Sequence, residues 1–164
     1  DLHRLIRRQR QMCIRDRANP VLVTPTCRRR FDKEGKSVNT HGEYPDAIRW
    51  VAQKENVPLI ELNGMTTMLC DALGVDGSMK LYVHYPAGTF PGQTREFKDN
   101  SHFSTYGAYE TAKCVVEGMK KAKLDIANYL RADYKGFNPA QPDKFETFKW
   151  NLCPFTEIEK PDGN

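Results

Sequence analysis

Pro20-Val21-Leu22-Val23-Thr24-Pro25-Thr26 is a short apolar run bounded by proline, and Val57-Pro58-Leu59-Ile60-Glu61-Leu62 is a second run of the same kind. Apolar runs of this length suit strands buried on both faces. Between them Tyr44, Ala47, Ile48, Val51 and Ala52 recur at helical spacing, with Pro45 placed for a first helical turn. After the second run, Met65, Met68, Leu69 and Leu73 form another helical face, which Gly74 is expected to stop. The order strand, helix, strand, helix predicts a parallel sheet with right-handed crossovers.

Downstream, residues 74–98 read as irregular, because Gly77, Pro86, Gly88, Pro91 and Gly92 break any periodicity. A long helix should follow, with Ser104 as N-cap and Ala108, Thr111, Ala112, Val115, Val116 and Met119 on one face. Residues 122–164 carry seven aromatics and four prolines. Disordered tails are poor in aromatics, so this segment is expected to dock on the domain body. The 164 residues allow one ordinary domain. No apolar run reaches the ~18 residues of a membrane helix, so an integral membrane protein is not expected.

The net charge of +4 is localised: six of the 25 Lys and Arg and two of the 21 Asp and Glu lie in residues 1–17. That leaves 19 basic and 19 acidic residues for the remainder, which is neutral. A basic arm can serve nucleic acid or a membrane surface. Another reading fits these residues better. Met12-Cys13-Ile14-Arg15-Asp16-Arg17 and Arg7-Arg8-Gln9-Arg10-Gln11 translate, in one frame, the bases of a transposase-type sequencing adapter. Residues 1–17 are therefore set apart as a non-native, adapter-like segment, and neither nucleic-acid nor membrane partners are expected.

The chemistry-bearing residues cluster at Lys98-Asp99-Asn100-Ser101-His102-Phe103-Ser104-Thr105-Tyr106-Gly107-Ala108. An Asp three residues before a His can accept a hydrogen bond from the ring Nδ1–H, which leaves the other nitrogen ready to take a proton. The spacing alone also fits a loop histidine beside an incidental carboxylate.

The run Asp-Asn-Ser-His-Phe-Ser-x-x-Gly-Ala before an amphipathic helix resembles the fifth block of the SGNH (GDSL-type) hydrolases. More narrowly, the chain resembles bacterial rhamnogalacturonan acetylesterases. The strand at 20–26 followed by Cys27-Arg28-Arg29-Arg30-Phe31 matches that subgroup, as do Thr40-His41-Gly42-x-Tyr44-Pro45 and Asn56-Val57-Pro58-Leu59-Ile60-Glu61-Leu62-Asn63. The resemblance implies a flavodoxin-like, three-layer α/β/α sandwich with a parallel sheet, here lacking its N-terminal strands. It makes residues 18–121 the C-terminal part of the hydrolase domain and residues 122–164 an extension of it.

On this resemblance, His102 is the general base and Asp99 its orienting carboxylate. A serine would attack the acetyl carbonyl, and amide donors would stabilise the oxyanion. No Gly-Asp-Ser block is found in the chain, so nucleophile and oxyanion residues are expected to lie outside it. The implied substrate is an acetylated, acidic plant polysaccharide, and the implied location of the parent protein is periplasmic or extracellular. A non-catalytic carbohydrate-binding relative is the alternative.

Arg28, Arg29 and Arg30 follow a strand end, where open parallel sheets place ligands. They form either a solvated loop or a site at which Arg28 contacts galacturonate carboxylates. His41 is a substrate contact or a structural cap, and His84 a sugar-facing or plain surface residue. Cys70 and Cys114 read as small buried hydrophobes, while Cys27 and Cys153 could pair if the protein is exported. The spacings fit no metal motif and no phosphate loop is found, so no cofactor is implied.

Overall fold

The computed structural model describes Arg8 and residues 18–150. The readings of residues 1–17 and of Cys153 therefore lie outside the described residues, apart from Arg8.

The two opening apolar runs pair as expected, but over a short span. Strand β1 (Leu22–Val23) lies parallel to β2 (Leu59–Ile60), with Leu22 opposite Leu59 and Val23 opposite Ile60. Proline limits the ladder. Pro20 and Pro25 have no N–H to give, and Pro58 contributes only its carbonyl, which accepts from Leu22 N at 2.9 Å. Thr24 N closes the pairing on Ile60 O at 3.1 Å.

Helix α1 (Tyr44–Lys54) crosses between these strands, with Pro45 in its first turn. It buries Pro45, Val51 and Ala52, whereas Tyr44, expected on the inner face, is exposed. Arg49 ties α1 to the end of β2 through a two-pronged pair with Glu61, both contacts 2.7 Å. That guanidinium holds the Glu61 carboxyl below its usual range. Glu61 also accepts from Gly64 N at 3.2 Å and so caps the next helix.

Helix α2 (Leu62–Gly77) buries Leu62, Thr66, Leu69 and Cys70, while Met68 faces out. Gly74 interrupts it, as expected, with non-helical φ and ψ. The residue takes φ 68°, a left-handed value open to glycine, and bends the chain before a further turn. A 3₁₀ turn (Ser78–Leu81) then leads into β3 (Tyr82–Tyr85), which pairs antiparallel with β4 (Phe97–Phe103). The stretch expected to be irregular thus holds β3 and the start of β4, while residues 86–96 between them are irregular as expected. Its strands were illegible because the side chains do not alternate cleanly between apolar and polar.

Helix α3 (Thr105–Lys121) buries Tyr106, Gly107, Glu110, Thr111, Cys114 and Gly118. Of the apolar stripe expected here Thr111 is buried and Val115 and Met119 pack partly buried against the core, whereas Ala108 and Ala112 are exposed. Close approach sets this rotation: a Cβ on Gly118 would sit 2.5 Å from Ile60 Cγ2, so the helix lies almost against β2. The core joins β2, α2, β3 and α3 through Ile60, Leu69, Leu81, Tyr82, Tyr106 and Cys114. Each such apolar side chain contributes about 1.5–3 kcal/mol.

Residues 122–150 run across α3. Tyr106 Oη donates to Asp143 O, and Lys113 Nζ bridges Glu110 and Asp143 at 2.7 Å each. The Tyr106 ring also meets Phe145 and Phe148 edge-on, at 5.3 and 5.4 Å. The described residues form an α/β arrangement with one parallel and one antiparallel two-stranded sheet.

Candidate active site

Strand β4 carries the Asp-x-x-His pair, and a bulge presents it. Tyr82 pairs with Phe103 and His84 with Lys98, so the four residues Asp99–His102 face the single residue Val83. The surplus backbone loops outward. Aspartate stabilises such a loop because its carboxylate can replace the lost ladder partners. Asp99 Oδ1 accepts from Ser101 N at 2.6 Å and from His102 N at 2.9 Å. Its Oδ2 lies 2.7 Å from His102 Nδ1.

These contacts fix charge as well as shape. The backbone N–H groups of His102 and Ser101, and then the His102 ring, hold the Asp99 carboxyl at about 2, below its usual value. Asp99 is thus ionised at neutral pH and accepts from Nδ1–H. In the neutral ring this leaves Nε2 as an acceptor. The His102 side chain is 81% exposed, and Nε2 has no hydrogen-bond partner among the described residues. The pair is therefore oriented on one side and open on the other.

Asn100, inside the bulge, is held from two sides. Its Oδ1 accepts from Arg29 Nη1 at 3.1 Å and from His84 Nε2 at 2.9 Å. Its backbone carbonyl accepts from Arg29 N at 2.9 Å. Arg29 is in turn fixed by Ser78 Oγ at 3.1 Å and Val75 O at 2.6 Å. The loop after β1, the end of α2 and the hairpin therefore converge on the Asp99–His102 turn.

The following junction is equally constrained. Ser104 Oγ donates to Lys80 O at 2.6 Å and accepts from Gly107 N at 3.0 Å, which caps α3. A Cβ on Gly107 would lie 1.8 Å from Leu81 O, so only glycine fits there. A cavity of about 540 Å³ opens beside this junction, lined by Phe103, Ser104, Thr105, Tyr109 and Trp150 among others.

Of the residues singled out from sequence, Asp99 and His102 are brought together. Arg28 is exposed and makes no side-chain hydrogen bond or ion pair among the described residues; its neighbour Arg29 is the anchored arginine. His41 Nε2 lies 2.8 Å from Thr26 O, and His41 N donates to Asn39 Oδ1 at 2.9 Å. These contacts tether its loop to the end of β1. Arg29 and Asn100 escaped the sequence reading, because three consecutive arginines give no means of choosing one and the bulge register is a tertiary property. Among the described residues no group of three His, Cys, Asp or Glu side chains could hold a metal ion.

No protein-family model matches the chain. Rhamnogalacturonan acetylesterase RhgT of Bacillus subtilis (strain 168) is 41% identical over 113 residues, covering 69% of this chain and 49% of RhgT. The probable rhamnogalacturonan acetylesterase YesY of the same organism is 29% identical over 113 residues, 69% of this chain and 48% of YesY. A crystal structure of protein YXIM from Bacillus subtilis aligns with a TM-score of 0.52 at 25% identity, covering 66% of this chain and 27% of that one. The chain spans about half the length of the curated relatives it matches. Over that part, the chain is similar in sequence to RhgT and YesY.

Proposed function

We propose that the protein supplies the general base and its orienting carboxylate to a Ser–His–Asp acetylesterase acting on acetylated, acidic plant polysaccharide. The Asp99–His102 pair carries this reading: Nδ1 is engaged at 2.7 Å while the rest of the ring is exposed. His102 Nε2 takes the proton of an attacking serine hydroxyl as the oxygen bonds to the acetyl carbon. It then returns that proton to the departing sugar oxygen. Asp99 stays ionised throughout and stabilises the imidazolium formed between the two transfers. The mechanism also needs a serine nucleophile and oxyanion donors, which the RhgT portion of the chimera described below is proposed to supply.

Arg28 is the proposed contact for a galacturonate carboxylate. It is exposed, and its neighbour Arg29 binds the Asp99–His102 turn, so it lies close to where the sugar would dock. His41 is a less direct contact on the same edge. The parallel β1–β2 pair is proposed to belong to the larger sheet of a three-layer α/β/α sandwich. The crossover through α1 and the 43% exposure of Val23 support that placement. Export of the parent protein fits a polymeric substrate.

A chimera tests the function. Residues 18–150 would replace the matched segment of RhgT, and acetate released from acetylated rhamnogalacturonan would be measured. Release of acetate is expected. A folded chimera that binds the polysaccharide but releases none would instead make this a binding relative without catalysis.

A further inference from the structure

Two thiols meet in the core, apart from the Asp99–His102 pair. Cys27 Sγ lies 3.3 Å from Cys70 Sγ, and Tyr82 Oη lies 3.6 Å from the first and 3.5 Å from the second. Tyr82 donates its hydroxyl proton to the Cys27 carbonyl at 2.9 Å, so it meets the sulfurs as an acceptor. Cys27 N donates to Thr66 Oγ1 at 2.9 Å, which fixes the loop after β1 against α2. The two sulfurs therefore face each other from well-held backbones. A disulfide needs an S–S length of roughly 2.05 Å, so an approach of little more than about 1 Å would suffice.

The two thiols differ in access. Cys70 is 1% exposed. Cys27 also lines a cavity of about 270 Å³ with His41, Arg49, Asn63 and Thr67. Their acidities differ in the same sense. The Cys70 S–H, more than any other group, lowers the Cys27 thiol to about 7, against the effect of burial. The neighbouring Cys27 and then burial raise Cys70. Cys27 is thus the attacking thiol and Cys70 the one that follows.

We propose that Cys27 and Cys70 form a disulfide by exchange with a small external disulfide. The Cys27 thiolate attacks one sulfur of that molecule, its S–S bond breaks, and one small thiolate leaves. Cys70 then gives up its proton to solvent, its sulfur attacks Cys27 Sγ, and the second small thiolate leaves. The protein loses two electrons and two protons, and the external disulfide becomes two thiols. The new bond ties the loop after β1 to α2, two residues before the Arg29 that grips Asn100. It thereby stiffens the anchor of the Asp99–His102 turn. The inference stands independently of the esterase reading.

The test equilibrates the 164-residue chain with bis(2-hydroxyethyl) disulfide and 2-mercaptoethanol. Remaining thiols are alkylated after denaturation, and peptides are mapped without reduction. The expected result is a Cys27–Cys70 linked peptide with Cys114 alkylated. In Cys70→Ser, Cys27 should stop at the mixed disulfide with 2-mercaptoethanol. Alkylation of both Cys27 and Cys70 at every ratio, or a link from Cys27 to Cys153 or Cys13, would overturn the proposal. If Cys70→Ser does not fold, the wild-type map decides alone.

Discussion

Asp99 uses both carboxylate oxygens within its own turn, one on backbone N–H groups and one on the His102 ring. Because folding lowers its pKa to about 2, the ionised form favours the turn. That contribution is complete above the unfolded value near 4 and is lost as pH falls towards about 2. An NMR titration of the Asp99 carboxyl should show a midpoint near 2, and a midpoint near 3.8 would contradict the geometry. Asp99→Asn should keep much of the turn, since an amide oxygen can accept the same backbone bonds. Its NH₂ would favour the wrong imidazole tautomer, and the chimera's turnover is expected to fall about 10⁴-fold. Unchanged turnover would remove Asp99 from the mechanism.

At this scale the sequence was legible where the contact is local. Asp99 and His102 lie three positions apart and could be paired on paper. Arg29 and Asn100 lie 71 positions apart, and nothing in either neighbourhood pointed to the other. The two arginines now have separable roles. Arg29→Ala should broaden or shift the backbone resonances of Asp99–His102, whereas Arg28→Ala should leave them in place and weaken polysaccharide binding in the chimera. If Arg28→Ala disturbs the turn as much, the division between anchor and contact is wrong.

Among the elements, the hairpin and α3 hold the site, and their junction has little tolerance. Gly107→Ala would place a methyl 1.8 Å from Leu81 O, so backbone must move. A destabilisation of about 3 kcal/mol or more is expected from urea unfolding of the chimera. Ser104→Ala removes a helix cap and should lose about 1 kcal/mol. Near-equal losses would mean that α3 can slide away from the hairpin. The strand–helix–strand order was readable because apolar runs and helical spacing announce it. The extent of the strands was not, because the prolines at 20, 25 and 58 end the ladder within two residue pairs. The α3 face was read only in part: Thr111, Val115 and Met119 turn inward, but the other buried positions are Tyr106, Gly107, Glu110, Cys114 and Gly118, a stripe that is not conspicuously apolar. Glu110 is there because Lys113 accompanies it at 2.7 Å.

For the whole molecule, two features suggest surfaces made to be covered. Each described sheet has only two strands, a marginal unit with open edges. Val23, Trp50, Met68 and Tyr109 are each at least 40% exposed. The chain on its own is therefore expected to self-associate in sedimentation experiments and to melt broadly, and a monomer with one sharp transition would contradict this. The central claim rests on one side chain, and the chimera puts it to a direct test. Acetate release from acetylated rhamnogalacturonan should be compared between the chimera and its His102→Ala form, at equal folded concentration. A fall of at least about 10³-fold is the predicted result. Retained turnover in a folded His102→Ala chimera would show that the base lies elsewhere.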